Sequence, residues 1–518
     1  ENMNNIRVST NGGLVTENWF DLNASRYTPS STLQRMELLK TGYMGTLSLG
    51  WDNYLFLELT GRQERSSTLK DQSFFYPSAN LSFLFTQAFH MPSWWNYGKL
   101  RLSYGIVGNA PETYTANIVY EQGSDNGFTW NTIPSSWGNA DIRPEKKYEY
   151  EIGLESKFLN NRLGIDVSYY NNRVKDQILS TPQPSTSGVK NVLMNVGEVA
   201  NHGWDISISA TPILTRDFRW DLTANYGVYK NKVVKLADGV PYLEILNSGG
   251  SGIKIQAVEG QPMGDIYAQV PQVNENGEYL VSDKGLYLNQ TELQKVGNIN
   301  PAGVGGLFNS FSYKNVFLDF SIDFRIGGDV INEMNQYATA VGLTPESLKY
   351  RDTEHGGLSY YYPGDNNSSG IPVQVDPSTG AGPNGEIIYH DGIILPGVVA
   401  STGERNTRII PAGYYYNTTY NWGTEAEQLT YRHSVFDNSY VKLRELTIGY
   451  QFPEKIISKL GLGRLSVSVF GRNLFYFYKA LKNYDAESSV GTSWANQATV
   501  GSSTTATRSF GVSLRASF

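Results

Sequence analysis

The sequence predicts an all-β protein: an antiparallel transmembrane β-barrel with long extracellular loops, of which this chain supplies about 13 to 14 strands. Three observations support this prediction. Apolar and polar residues alternate in many segments, these segments are long, and short and long connections alternate between them. The composition agrees, because aromatic residues make up 13% of the chain and charged residues only 18%, with 52 glycines in 518 residues.

The alternation is clearest in residues 147–158. In a helix, Tyr148 and Tyr150 would lie about 200° apart, so the apolar residues would form no common face. In a strand, they share one face and the charged residues occupy the other. The apolar residues are Tyr148, Tyr150, Ile152, Leu154 and Phe158, and the charged residues are Lys147, Glu149, Glu151, Glu155 and Lys157. The segment is therefore predicted to be a strand.

The same period recurs along the chain. Most of the predicted strands run for about 9 to 13 residues, which suits a tilted strand that crosses a bilayer. A change of phase around Arg444 predicts a β-bulge. The recurring segments are 43–51, 55–59, 81–85, 100–106, 163–169, 204–208, 218–228, 316–326, 441–450, 465–469 and 510–518.

The connections favour a barrel. An outer-membrane barrel has short periplasmic turns and long outer loops. A soluble β-sandwich, which the alternation also allows, does not require that pattern. Short turns are predicted at 51–53, 90–97, 159–161, 214–216, 314–315 and 453–463, and long links at about 65–78, 109–145, 179–200, 232–304, 328–436 and 478–505.

The faces of the strands follow from the cost of burying charge in lipid. A Lys or Arg that faces lipid at the middle of the bilayer costs roughly 2 to 4 kcal/mol. The apolar phase, with Tyr148, Tyr150, Ile152 and Leu154, is therefore predicted to face lipid. The polar phase is predicted to face the lumen, and it includes Lys99, Arg101, Lys147, Glu149, Glu151, Asp319 and Asp323.

Several classes of function are disfavoured. The net charge of −7 and the absence of a Lys/Arg run argue against a nucleic-acid partner. The sequence contains no run of about 18 apolar residues, so no transmembrane helix is predicted. There are no cysteines, which removes disulfides and thiolate sites. No nucleophile elbow, Walker A loop or dinucleotide fingerprint stands in a strand-turn-helix context, so no enzyme and no cofactor is predicted.

No metal site is predicted either. The five histidines, at positions 90, 202, 355, 390 and 433, form no H-E-x-x-H spacing and are interpreted as solvated loop or turn residues. Segments 274–277, 365–370 and 376–385 are rich in Asp, Asn and Gly, but none keeps the calcium-binding EF-hand pattern. The same residues are what turns require, and a turn is the favoured interpretation.

The long links carry aromatic residues that we treat as candidate contacts to a substrate or a covering partner. Rings with polar tips can stack on sugars or pack against peptide side chains. The alternative is that they pack the loops together or form an interfacial girdle. The candidates are Tyr360, Tyr361, Tyr362, Tyr414, Tyr415, Tyr416, Tyr420, Trp422, Trp130, Trp137 and Trp494.

Several blocks resemble the SusC/RagA-type TonB-dependent outer-membrane transporters. They are KLRLSYGIVGN at 99–109, NVGEVANHGWDISI at 195–208, VGNINPAGVGGLFNSFSYKNVFLDFSIDFRIGGDVIN at 296–332, SYVKLRELTIGYQFP at 439–453 and FGRNLF at 470–475. The blocks stand in the order found in that family. The family's usual R-x-D-G-S-S turn is altered around 61–67.

The resemblance implies active import. A nutrient, either an oligosaccharide or a peptide, would cross the outer membrane with energy delivered by TonB, and a SusD-like surface lipoprotein would cover the long loops. The polar strand faces would then line the lumen or contact a plug. A binding or adhesion barrel and a passive porin are the alternatives.

The family's amino-terminal plug, TonB box and early strands have no counterpart here. We therefore expect residues 1–518 to be the carboxy-terminal part of a barrel of about 22 strands, with the carboxy terminus in the periplasm. Its two edges are expected to pair with strands of that amino-terminal part. A strand within about residues 4–17 is weakly allowed by Ile6 and Val8.

Overall fold

The main element is a sheet of thirteen strands that follow one another in chain order. The computed structural model describes residues 2–517 except 71–72, 126–127, 249–251, 365–369, 422–429, 489–492 and 502–505. All neighbouring pairs whose register is described run antiparallel. The strands are β3 (Lys40–Trp51), β4 (Leu55–Ser66), β5 (Ser73–Phe83), β6 (Trp95–Asn109), β7 (Glu145–Phe158), β8 (Leu163–Lys175), β9 (Glu198–Leu214), β10 (Phe218–Lys235), β11 (Gly303–Tyr313), β12 (Val316–Ile326), β13 (Tyr440–Gln451), β14 (Arg464–Lys479) and β15 (Ser509–Ser517).

The chain divides into two compact units. The first unit comprises residues 1–156, 168–202 and 231–240, and the second comprises 157–167, 203–230 and 241–518. The predicted strands recur at the expected positions within these units. The expected bulge is confirmed, because both ladders of β13 shift register between Leu443 and Glu445 and leave Arg444 without a direct partner.

The apolar phase of the strands is the more exposed one, which inverts the pattern of a soluble sheet. In β7, Tyr150, Ile152 and Leu154 are 45%, 48% and 43% exposed, whereas the alternating Lys147, Glu149 and Glu151 are half-buried. In the second unit, Val469 of β14 and Val512 of β15 are 57% and 73% exposed. A soluble β-sandwich buries its apolar face, so this arrangement argues against that alternative and favours a lipid-facing wall.

The polar phase of the first unit is held together by hydrogen bonds and ion pairs. Lys147 Nζ lies 2.5 Å from a Glu149 carboxylate oxygen, and Asn172 donates a hydrogen bond to Glu149 at 3.1 Å. Arg101 lies 3.5 Å from Glu155. Lys99 and Glu151 are half-buried on the same face. These contacts give the charged residues partners, while their role in lining a lumen stays a prediction.

One expected long link differs from the structure, and the expected alternation of short and long connections changes with it. The first expected long link, 65–78, is wrong: β4 and β5 are separated by residues 67–72 alone. The strands continue there by backbone pairing, since Gly61 pairs with Pro77 and Arg65 with Ser73, although the side chains no longer alternate. Short and long connections therefore do not alternate without exception.

The amino-terminal segment forms a hairpin that composition alone did not reveal. β1 (Asn2–Leu14) pairs with β2 (Ser25–Glu37) in a separate two-stranded sheet. The weakly allowed strand at Ile6 and Val8 is therefore present, but it does not join the large sheet. In that sheet, β3 and β15 stand at the two ends of the strand order.

The links contain further strands and short helices. The helices are α1 (Phe85–Ala88), α2 (Glu333–Ala340), α3 (Ala412–Tyr420) and α4 (Glu454–Ile457). The link strands are Glu121–Asp125, Phe128–Thr132, Ser136–Trp137, Ile178–Pro182, Asn191–Asn195, Tyr242–Ser248, Ile253–Val258, Asp265–Ala268, Leu280–Val281, Gln294–Asn298, Asp329–Ile331, Leu358–Tyr361, Val373–Gln374, Tyr389–Ile393, Val398–Val399, Ile410–Pro411 and Val435–Asp437. Among the described helices, none is long and apolar enough to cross a membrane.

Candidate functional site

Three long links of the second unit pack into one body. We call the described residues of 241–302, 327–439 and 480–501 the loop body. Its largest apolar core takes side chains from all three links, so the links support one another. That core contains Ile253, Ile255, Ile266, Ala268, Ile299, Ile331, Tyr431, Val435, Ala495 and Ala498.

The first tyrosine triplet is mostly internal to the loop body. Tyr360 and Tyr362 are buried, and their ring centroids lie 5.5 Å apart in an edge-to-face arrangement. The Tyr360 ring stacks on Tyr389, and its hydroxyl donates a hydrogen bond to Asp391 at 3.1 Å. Buried aromatic residues in such pairs stabilise a core, so Tyr360 packs the loop, and its contact to a substrate stays a prediction. Tyr361 is half-buried.

The second triplet lies on α3, which also carries Tyr420. The buried Tyr416 hydroxyl donates to the carbonyl oxygens of Glu346 and Lys349, at 2.9 and 3.3 Å. Tyr415 is packed edge-to-face against Tyr416, with ring centroids 5.2 Å apart. Burial raises the pKa of Tyr416 to about 12, so its hydroxyl remains a donor at neutral pH. Tyr416 therefore packs inside the loop body, and its contact to a substrate or covering partner stays an untested prediction.

His433 is a half-buried partner of this cluster. Its ring stacks on Tyr420 with centroids 4.3 Å apart. Burial, with a smaller contribution from the charge of Arg432, lowers the pKa of His433 to about 4. His433 is therefore not a fully solvated loop histidine, because its half-buried imidazole stays neutral and packs against an aromatic ring.

Tyr362 and Tyr414 come together although they belong to different triplets. Both line one cleft of the loop body, which we call the tyrosine cleft. Its wall also carries two cationic residues, Lys284 and Arg408. Neither residue could be singled out in advance, because they lie in different links and neither stands in a recognisable motif.

The candidate tryptophans lie in separate places. Trp130, on a hairpin of the first unit, is exposed and covers Gly123. Trp137 of the same unit is half-buried beside Tyr120. In the second unit, Trp494 is exposed at the border of the loop body and lies over Gly264. Trp422 lies outside the described residues. A contact to substrate stays a prediction for these residues.

A charged network fastens the loop body to the polar face of the second unit. We call Asp323, Lys442, Arg444 and Glu487 the Arg444 network. The Arg444 guanidinium donates to Glu487 at 2.5 and 2.9 Å and to Asp323 at 2.6 Å. Lys442, which is 1% exposed, places its Nζ 2.5 Å from Glu487. The bulge lets Arg444 reach both carboxylates. Nearby, Asp319 accepts a hydrogen bond from Ser310 at 2.6 Å.

Glu487 is ionised by this network. Burial opposes its ionisation, but the hydrogen bonds and charges of Arg444 and Lys442 outweigh that effect and lower the pKa of Glu487 to about 2. The network therefore consists of two cations and at least one firmly ionised carboxylate.

The Asp- and Asn-rich segments close turns. Asn274 accepts backbone hydrogen bonds from Asn276 and Glu278, and Asp376 accepts one from Ser378. Of the segment 365–370, residues 365–369 lie outside the described residues. Within the described part of the chain, no group of three or more His, Cys, Asp or Glu side chains is arranged to hold a metal ion.

Comparisons with known proteins place the sheet and its loops in a family. The family model described as "TonB dependent receptor-like, beta-barrel" matches residues 5–266. TonB-dependent receptor P3 of Formosa agariphila is 24% identical over 494 residues, which cover 87% of this chain and 42% of the relative. TonB-dependent receptor SusC of Bacteroides thetaiotaomicron is 30% identical over 247 residues, which cover 44% of this chain and 24% of SusC.

A solved structure supports the fold. A chain from the structure of the RagAB peptide transporter superposes with a TM-score of 0.63 at 18% identity, covering 91% of this chain and 48% of that one. The chain thus spans less than half the length of the curated relatives it matches. The family model matches just over half of the residues of this chain, and the strands of the chain agree with the barrel fold. The chain therefore belongs to the family of TonB-dependent receptor-like β-barrels.

Proposed function

We propose that the full-length protein imports a nutrient across the bacterial outer membrane in a TonB-dependent manner. The observation that carries this proposal is the arrangement of the sheet faces, which we call the inverted wall. Apolar residues such as Tyr150 and Ile152 are exposed, whereas charged residues such as Lys147 and Glu149 are paired with one another. That wall suits a pore whose outside meets lipid. The family membership and the similarity to SusC and to a peptide transporter support import over other uses of a barrel.

The nutrient is an oligosaccharide or a peptide, and a SusD-like surface lipoprotein covers the loop body. The long links are extracellular and the carboxy terminus is periplasmic. Packing of three links into one body supports this part of the proposal, because a covering partner needs a shaped surface. Lys99, Arg101, Lys147, Glu149, Glu151, Asp319 and Asp323 line the lumen or contact the plug.

The remaining strands come from an amino-terminal portion of the protein. In a barrel whose strands all alternate in direction, the first and the thirteenth of thirteen strands run the same way, so direct pairing of β3 with β15 would be parallel, contrary to the rule for bacterial barrels. Unpaired edges in hydrocarbon cost several kcal/mol for each unsatisfied backbone group, by general estimates. Both edges therefore pair with amino-terminal strands, which complete a barrel of about 22 strands and enclose the plug.

The test is uptake by cells that carry or lack the full-length gene. Labelled oligosaccharides and peptides are supplied with TonB present, with TonB deleted and after collapse of the proton gradient. Import requires that uptake of at least one nutrient depends on the gene, on TonB and on the gradient. Uptake that survives both treatments would assign a passive porin. Surface binding without any uptake would assign a binding or adhesion barrel.

A further inference from the structure

The turn between β5 and β6 is longer and more apolar than the preceding turn of the sheet. We call residues 84–94, which include α1, the aromatic turn. Residues 84–98 contain no Asp, Glu, Lys or Arg. By contrast, the turn between β3 and β4 consists of residues 52–54 and begins with Asp52 and Asn53. A turn that only reverses the chain uses polar residues of that kind and does not need the eleven residues of the aromatic turn.

One row of rings extends the apolar face of the sheet into the aromatic turn. Phe83 pairs with Leu55 and Leu100 on the neighbouring strands, so these three residues belong to the apolar phase. The Phe83 ring lies edge-to-face against Tyr54 and against Phe89, with ring centroids 6.1 and 5.9 Å away. Phe89 is 60% exposed. The exposed apolar surface therefore continues from the strands onto the turn.

A second row of rings covers the same face. Phe85 lies over Gly98, where a side chain would begin 2.2 Å from the Phe85 ring, and Gly98 stands in the apolar phase of β6. Trp95 lies edge-to-face on Phe85 with centroids 5.3 Å apart, and it stacks on Trp94 at 6.0 Å. Trp94 is 51% exposed. The turn thus presents two exposed rings, those of Phe89 and Trp94, at the end of the apolar face.

Hydrogen bonds fix the backbone of the aromatic turn at both of its ends. The Leu84 N–H donates to the Tyr54 carbonyl at 2.7 Å, and the Gly98 N–H donates to the Thr86 hydroxyl at 3.0 Å. A preformed surface loses little conformational freedom when it meets its partner. The rings are therefore held ready for a lasting contact.

The chemistry of this surface distinguishes lipid from other partners. Tryptophan and other aromatic rings are typical of the boundary between the headgroups and the acyl chains of a bilayer. The apolar face on which the turn continues is the lipid-facing side of the inverted wall, so lipid that covers the strands also reaches the turn. A protein partner in water would instead be expected on an apolar patch that is rimmed by polar residues and separate from that wall.

We propose that the aromatic turn is an interfacial anchor, which lies at the boundary between the headgroups and the acyl chains of a phospholipid leaflet. Phe89 and Trp94 place their rings below the headgroups, whereas Gln87 and His90, exposed polar residues of the turn, face water. The turn lies at the ends of β5 and β6 opposite to the long link 110–144, so this leaflet is the periplasmic one in the orientation proposed above. The inference rests on the membrane wall of the proposed function and not on import.

Spin labels measure how deeply the turn enters a bilayer. Phe89→Cys, Trp94→Cys and Gln87→Cys are labelled with a nitroxide in the full-length protein, in which any native cysteine has been replaced by serine, and each protein is reconstituted in phosphatidylcholine vesicles. Oxygen concentrates in the bilayer and a nickel chelate stays in water, so the ratio of their collision rates with the label reports its surroundings. That ratio is expected to be several-fold higher at positions 89 and 94 than at position 87, the matched control in the same turn.

Tyr150→Cys provides the control for the wall. Tyr150 is 45% exposed on the apolar face of β7, so its label is expected to show a high ratio as well. Heat-modifiable migration in gel electrophoresis identifies any variant that fails to assemble. Because positions 89 and 94 are independent of one another, the variant that assembles then decides the question.

Equal ratios at positions 87, 89 and 94 would overturn the inference. So would shielding of the labels at 89 and 94 from both reagents, which would assign the turn to a contact with another protein or with a second copy of this chain. A high ratio at Tyr150→Cys with low ratios at 89 and 94 would sink this inference alone. Low ratios at all of these positions would also remove the wall on which the proposed function rests.

Discussion

Replacing Glu487 with glutamine should release the loop body from the polar face of the second unit. The substitution leaves Lys442 buried beside a neutral group. It also replaces the carboxylate that accepts two hydrogen bonds from the Arg444 guanidinium. Removing one partner of a buried pair costs about 3 to 5 kcal/mol. Glu487 is 29% exposed on its side chain and glutamine keeps an acceptor, so we expect about 2 kcal/mol.

Hydrogen–deuterium exchange of the full-length protein measures this effect. A loss of about 2 kcal/mol raises the open population of residues 480–488 roughly 30-fold, and their amides should exchange faster by that factor. Glu445→Gln is the control, because the pair of Glu445 with Arg472 is far more exposed and contributes at most about 1 kcal/mol. Equal exchange in both variants and the wild type would refute the assigned role of the Arg444 network.

The same network predicts a pH dependence with a defined sign. The pKa of Glu487 in the folded protein is about 2, below its ordinary value of 4.5, so its stabilisation is present above pH 4.5 and is lost as the pH falls towards 2. Wild-type exchange in residues 480–488 should therefore approach that of Glu487→Gln near pH 3. The open population of residues 480–488, taken from exchange relative to the intrinsic rate at each pH, should change less in Glu487→Gln over this range. An identical change of that population in both proteins would contradict the assignment.

Two further predictions concern the interior of the loop body. Tyr416→Phe leaves two carbonyl oxygens without their donor and should lower the stability of the loop body by about 1 to 2 kcal/mol. Tyr361→Phe is the control and should lower the stability less, because Tyr361 is only half-buried. Thermal unfolding of the purified protein measures the two losses, and equal losses would contradict the role of the Tyr416 hydroxyl. Gly357→Ala places a Cβ 2.2 Å from the His390 carbonyl oxygen and should disrupt the loop body, whereas Gly380→Ala meets nothing within 4 Å. Limited proteolysis should cleave only Gly357→Ala faster, and equal resistance of the two variants would contradict the packing.

The sheet was predictable because alternation is a local signal. Charged and aromatic residues that alternate along a strand lie on opposite faces of it, and this does not depend on the tertiary structure. The bulge at Arg444 likewise follows from a change of phase in the alternation. The hairpin of β1 and β2 was not predictable, since its residues are mostly polar and its pairing is set by backbone hydrogen bonds. The continuation of β4 beyond Gly61 escaped prediction for the same reason.

The loop body was less predictable because its contacts are long-range. The tyrosine triplets marked the link that carries them, but nothing local distinguishes the buried Tyr416 from a tyrosine at a surface. Lys284 and Arg408 meet only through the packing of two links. Glu487 acquires its low pKa from cations on a distant strand, so no property of its own segment could indicate it.

Cysteine labelling of neighbouring residues on β7 tests most directly whether this sheet is the wall of a membrane pore. Glu149→Cys and Tyr150→Cys are introduced into the full-length protein in outer membranes and exposed to a lipid-phase thiol probe. The inverted wall predicts that the probe labels Tyr150→Cys, whose side-chain position is exposed on the apolar face, and leaves Glu149→Cys unlabelled. Lipid-phase labelling of Glu149→Cys, with none of Tyr150→Cys, would contradict the assignment of the two faces.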